Sequence, residues 1–191
     1  MTTGLLGGAF DPPHTGHVVL AREAIKRFRL DRLLVLVVAR PAHKRVETPV
    51  EDRIELARAA FADLPLAEVR RDEHPNTVDS LRAGGFDPQD TILLVGADQF
   101  AGFRAWKDPD GVLDRARLGV ATRPGYPRES LEPVVASLRR PERVEFFEIP
   151  AFDVSSTDLR GRLGRGDPVG ELVPREVARL VVERGLYHEA C

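Results

Sequence analysis

The chain has 191 residues, 42% hydrophobic and 30% charged, and its 28 Lys plus Arg nearly balance 30 Asp plus Glu, for a formal net charge of −2. That length is enough for one α/β unit with a sizeable core, and the composition excludes a disordered chain, a collagen-like chain and a disulfide-rich secreted module. Without a global positive field an anionic partner must be held by local geometry, which argues against a general nucleic-acid binder.

Residues 3–7 (Thr-Gly-Leu-Leu-Gly) read as a short buried strand. After a Gly/Pro/His-rich turn, Val18, Ala21, Ile25 and Phe28 recur at spacings of 3, 4 and 3, which makes one face of a helix. Arg32 to Ala39 holds the unbroken apolar run Leu33 to Val38, as a strand covered on both faces requires. Thr48-Pro49-Val50-Glu51 has the pattern of a capping box with Pro at the first helical position, and predicts a helix burying Ile54, Ala57 and Phe61. Leu66 to Arg70 reads as a strand, and Asn76 as the cap of a helix ended by Gly84-Gly85. Further strands are expected at Thr91 to Val95, Arg117 to Thr122 and Arg143 to Ile149. A last helix from about Pro174 buries Val177, Leu180 and Val181 and stops at Gly185.

This strand-then-helix rhythm predicts an α/β fold: a doubly wound, mostly parallel sheet with helices on both faces and right-handed crossovers. No linker interrupts the chain, so residues 1–191 are expected to form a single domain, with the C-terminal helical part (about 155–191) packed on it. Ligands of such sheets gather at the carboxyl ends of the strands, here the turns after residues 7, 39, 95, 122 and 149. The lone cysteine, Cys191, allows neither an intrachain disulfide nor a cysteine metal cluster. The N-terminus lacks a basic start and a long apolar stretch, so a cytoplasmic protein without membrane attachment is expected.

Two segments carry chemistry. Gly7-Gly8-Ala9-Phe10-Asp11-Pro12-Pro13-His14-Thr15-Gly16-His17 joins the first strand to the first helix. Gly7 and Gly8 let backbone approach a ligand closely, and the two histidines sit at a helix N-terminus, where N–H groups and the macrodipole favour an anion. Read alone, such a turn is equally a tight bend with a capping histidine pair, or part of a zinc site. Val154-Ser155-Ser156-Thr157-Asp158-Leu159-Arg160 offers hydroxyls, N–H groups and a guanidinium fork to phosphate oxygens, or else an ordinary N-cap with a surface arginine.

Together the two segments resemble the nucleotidylyltransferase superfamily, whose members carry a His-x-Gly-His turn and a Ser-Ser/Thr-x-x-Arg helix start. Pro41-Ala42-His43-Lys44, Asn76 to Leu81, Gly96-Ala97-Asp98, Trp106-Lys107 and Arg123-Pro124-Gly125-Tyr126 follow in the order seen in bacterial nicotinate-nucleotide adenylyltransferases. Ala42 and Asn76 depart from that family's commoner residues, a second proline and an aromatic. The resemblance implies a Rossmann-like nucleotidylyltransferase fold and adenylyl transfer from ATP to nicotinate mononucleotide, with Mg2+ carried mostly by phosphates and water and no dedicated protein metal site.

It further implies an ATP side made of Gly7, Gly8, Phe10, His14, His17, Gly96, Asp98, Arg123, Ser155, Ser156, Thr157 and Arg160. His14, His17 and Arg160 would be the catalytic groups. The mononucleotide side would use Asp11, Lys44, Thr77 and Trp106, with Lys44 on the phosphate and Trp106 stacked on the ring. Lys44 stands out as one of only three lysines, beside 25 arginines, although a solvated loop lysine is the plain alternative. A lone tryptophan is likewise often core. The rival readings are nicotinamide mononucleotide as substrate, phosphopantetheine adenylyltransferase, and a nucleotide-sensing protein without turnover. A homo-oligomer is left open.

Overall fold

The computed structural model describes residues 1–42, 46–124, 128–152 and 154–187. β1 (Thr3–Gly8) runs through the Gly/Pro/His turn into α1 (Thr15–Phe28), and β2 (Arg32–Val38) is followed by α2 (Val50–Ala60). Next come β3 (Ala67–Asp72), α3 (Thr77–Ala83), β4 (Thr91–Gly96), α4 (Ala97–Ala101) and α5 (Pro109–Leu113). β5 (Arg117–Thr122), α6 (Glu132–Ala136), β6 (Val144–Glu148), α7 (Ser156–Gly164) and α8 (Arg175–Arg184) complete the order. Among the described residues six strands form one sheet in the order β3-β2-β1-β4-β5-β6, every neighbouring pair parallel. This is the predicted doubly wound sheet, and its winding reverses between β1 and β4.

Strand periodicity divides the core into two layers. In β1, Leu6 packs with Ala21, Leu56 and Leu159 on one face, while Leu5 packs with Val78, Phe100 and Leu113 on the other. β4 alternates likewise, Ile92 and Leu94 against Leu93 and Val95. Both faces are therefore covered, as the continuous apolar runs require. The face with α1 and α2 also takes Leu159 of α7 and Val177 and Val181 of α8. Each such valine contributes on the order of 1.5–3 kcal/mol by leaving water. Among the described residues no helix is long and apolar enough to cross a membrane.

Several local expectations change. The capping box at Thr48 does not form: α2 starts at Val50 with Pro49 at its cap and no side-chain cap bond. The Thr48 carbonyl instead accepts from Arg53 Nε at 3.1 Å, and Glu51 reaches across to Arg71. Ala57 and Phe61 are buried, but Ile54 is only half-buried, and the inward position one residue earlier belongs to Arg53, 1% exposed. Leu180 is also half-buried, behind Val177 and Val181. The third strand lies at Ala67–Asp72 rather than from Leu66, which is exposed. Asn76 does hold the cap position of α3, yet its side chain donates to Asp79 Oδ2 at 3.3 Å instead of accepting a helix N–H.

Candidate active site

Where the winding reverses, two adjoining cavities open at the carboxyl end of the sheet. They share Gly7, Gly8 and Ala9 from the end of β1, and Asp98 and Gln99 from α4. No atom outside its chain neighbours lies within 4 Å of where a Cβ on Gly7 would stand, so the backbone is open to a ligand in that direction.

The first cavity, about 430 Å³, is lined by every residue assigned to ATP from the sequence, from Gly7 and Gly8 to Arg160. Their side chains have distinct tasks. His14 caps α1 in an extended conformation, and its backbone N–H donates to Nδ1 of His17 at 3.2 Å. An accepting Nδ1 leaves the ring proton of neutral His17 on Nε2, as a donor. The two rings stack with centroids 3.7 Å apart. Gly16 permits that arrangement, since a Cβ there would stand 3.1 Å from Nδ1 of His14. Phe10, with φ of 50°, turns its buried ring under His17, centroids 5.1 Å apart, so it offers a ligand backbone rather than ring.

The opposite wall comes from α7. Ser155 caps the helix, its Oγ accepting the Asp158 N–H at 3.1 Å. Ser156 Oγ donates to the Pro12 carbonyl at 2.9 Å, and Arg160 Nη1 to the Asp11 carbonyl at 2.7 Å, joining segments 144 and 149 residues apart. A second nitrogen of Arg160 lies 3.4 Å from Thr157 Oγ1. Arg123 donates to the Phe152 carbonyl, so its guanidinium also fixes the loop after β6. Gly96 and Asp98 enter from the β4–α4 junction, where the Gly96 N–H donates to Gln99 Oε1 at 3.3 Å. The two motifs thus form opposite walls of one cavity, as the strand-end rule and the resemblance both led one to expect.

The second cavity, about 510 Å³, is lined by Thr77 and Trp106. Trp106 is half-buried and packs on Phe103 at 5.3 Å, so it is neither pure core nor free. Beside it Lys107 donates to Asp79 Oδ2 at 2.8 Å, a bond that holds the Asp79 carboxyl below its ordinary range. Asp72, at the end of β3, is a lining residue the sequence reading missed. It accepts from Ser80 Oγ at 2.5 Å and lies 2.9 Å from His74 Nδ1. Asp11, expected on this side, lines the histidine cavity instead and is 4% exposed. Lys44 and Tyr126 lie outside the described residues.

Arg53 is a further residue missed. Its guanidinium donates to the carbonyls of Ala9, Val38 and Ala39 at 2.8–2.9 Å and, through Nε, to Thr48, clamping the ends of β1 and β2. Burial pushes its pKa down, and Asp11 partly offsets that. Its spacing of four from Ala57 was the available signal, overlooked because the residue is charged. Among the described residues no group of three or more His, Cys, Asp or Glu is gathered as a metal site.

The chain belongs to the cytidylyltransferase-like family, whose model matches residues 5–162. Within it, its relatives include the nicotinate-nucleotide adenylyltransferases. It is 39% identical over 194 residues to the probable nicotinate-nucleotide adenylyltransferase of Thermus thermophilus, covering 98% of this chain and all of that one. Identity to the Rubrobacter xylanophilus counterpart is 32%, over 98% and 92% of the two chains. The fold is similar to Plasmodium falciparum nicotinic acid mononucleotide adenylyltransferase complexed with NaAD, with a TM-score of 0.77 at 13% identity and 97% of each chain covered.

Proposed function

We propose that this chain, a single domain acting in the cytoplasm, transfers the adenylyl group of ATP to nicotinate mononucleotide, giving deamido-NAD and pyrophosphate in NAD biosynthesis. The observation that carries the reading is the pair of cavities meeting at Gly7–Ala9. One is walled by imidazoles, hydroxyls and guanidinium groups suited to a triphosphate, and the other by Thr77 and Trp106, suited to a pyridine ring.

The chemistry asks little of a protein nucleophile. The mononucleotide's phosphate oxygen is already anionic and attacks the α-phosphorus of ATP directly, so catalysis rests on alignment and charge stabilisation. His17, donating from Nε2, meets charge growing on the α-phosphoryl oxygens, with His14 stacked behind it. Arg160, Ser155, Ser156 and Thr157 hold the β- and γ-phosphates. Gly96, Asp98 and Arg123 take the ribose and adenine side. Trp106 stacks on the nicotinate ring, Thr77 receives its carboxylate, and Lys44 neutralises the mononucleotide phosphate.

Mg2+ fits this cavity as a companion of the phosphates. Its lining carboxylates are Asp11, whose Oδ1 is engaged, and Asp98, which is exposed, and such a set suits contact through water rather than a closed metal cage. When bound, the ion would neutralise charge on the departing pyrophosphate. Long nucleic acids are not expected partners for a chain of net charge −2.

Pyrophosphate release should be measured with ATP and, separately, nicotinate mononucleotide, nicotinamide mononucleotide and pantetheine phosphate. Turnover fastest with the first is expected. Preference for the amide, or for pantetheine phosphate, moves the assignment to that substrate, and binding without release marks a sensor.

A further inference from the structure

The phosphate cavity is backed by a residue far from it in sequence. Asp11, in the middle of the histidine turn, is 4% exposed. Its main-chain carbonyl holds Arg160 Nη1 at 2.7 Å, and its Oδ2 lies 3.9 Å from the same nitrogen. Its Oδ1 accepts the hydroxyl of Tyr187 at 2.9 Å, across 176 residues of sequence. Tyr187 stands just past α8 with φ of 66°, a conformation an aromatic residue keeps only where its contacts over-determine it. Burial and then the neighbouring Asp11 push its phenol pKa upward, so the hydroxyl remains a donor. The segment is fixed from behind by α8 itself, whose Arg184 binds Asp52 and Glu55 of α2.

We infer that Tyr187 is a positioning residue: by holding Asp11, it sets the direction in which Arg160 presents its guanidinium to the phosphate cavity. The inference rests on the reading of that cavity as the ATP site. It extends the site to a residue beyond the stretch matched by the family model, which ends at residue 162. A tyrosine that merely tied down the chain end would affect the folded fraction and leave the kinetics of folded protein alone.

The test uses the full chain carrying Tyr187→Phe, which removes one hydroxyl and keeps the ring. Pyrophosphate release, calorimetric binding of the α,β-methylene analogue of ATP, and thermal unfolding are recorded together. The expected result is weaker analogue binding and a kcat lower by about ten- to a hundredfold, the scale of a small misalignment. The KM for the mononucleotide should stay within about twofold, well short of that misalignment loss. Values of kcat and analogue affinity matching the unmodified chain would overturn the inference. Asp11→Ala should lose at least as much, since it also removes the Oδ2 that faces Arg160, and the double variant should be no worse than Asp11→Ala, because the Tyr187 hydroxyl then has no carboxylate left to hold. Losses that multiply would also overturn it. Should Tyr187→Phe not fold, Asp11→Asn against Asp11→Ala decides, since only the amide keeps an acceptor for the hydroxyl; equal losses from the two would overturn the inference. If the unmodified chain bound the analogue more tightly than Tyr187→Phe yet released no pyrophosphate, positioning would stand and the proposed reaction would fall. If it did not bind the analogue at all, both would fall.

Discussion

The His14 N–H donated to Nδ1 of His17 turns a flexible imidazole into a one-way donor, its proton on Nε2. The Phe10 ring below and the His14 ring against it leave that ring little room to rotate. His17→Ala should therefore lower kcat by about a hundredfold or more, the usual effect of losing a preorganised donor to developing charge. The melting temperature should change little, and a drop of only two- or threefold in kcat would remove His17 from the transition state. Trp106 presents a different balance, because it packs at a tilt on Phe103 and also lines the second cavity. Trp106→Ala is expected to raise the KM for the mononucleotide and leave that for ATP near its original value. An unchanged mononucleotide KM with lost thermal stability would assign the ring to the core.

At the scale of elements, the site is assembled by bonds that cross between them. Arg53 on α2 gathers carbonyls from the ends of β1 and β2, groups that a helix or strand ladder would not satisfy there. Arg53→Leu would fill the volume but leave several buried carbonyls without a donor. A loss on the order of 3 kcal/mol is expected in denaturant titration, since each orphaned group costs about 1–3 kcal/mol. A loss under about 1 kcal/mol, less than one such orphaned group costs, would mean that water replaces the guanidinium. The α7 segment is fastened in the same manner, Ser156 and Arg160 taking the Pro12 and Asp11 carbonyls. Hydroxyls and a guanidinium in a helix start could be read from the sequence as candidate phosphate ligands. That they also anchor the histidine turn was not, because each anchor is a bond to a main-chain oxygen and leaves no mark on residue identity.

For the whole molecule, two cavities on either side of β1 predict that each substrate binds without the other. ATP alone and nicotinate mononucleotide alone should each raise the melting temperature. A ligand at a hundred times its Kd adds about 2.7 kcal/mol. A shift seen only with both together would mean that one cavity forms on binding. The sequence by itself determined the sheet and most of its strands, since continuous apolar runs and strand-ending turns act over a few residues. The glycines, histidines and hydroxyls of its two motifs, which the resemblance grouped on one side, line one cavity, because each stands at a strand end or helix start fixed by local backbone chemistry. Asp11 lines the histidine cavity rather than the one beside Trp106, and Asp72 and Tyr187 carried no signal of their own in the sequence, while Arg53 carried only its spacing from Ala57. Their meaning depends largely on partners from other elements, up to 176 residues away. A buried charge or phenol becomes recognisable only when tertiary packing supplies the groups that satisfy it, and that is what the folded structure decided.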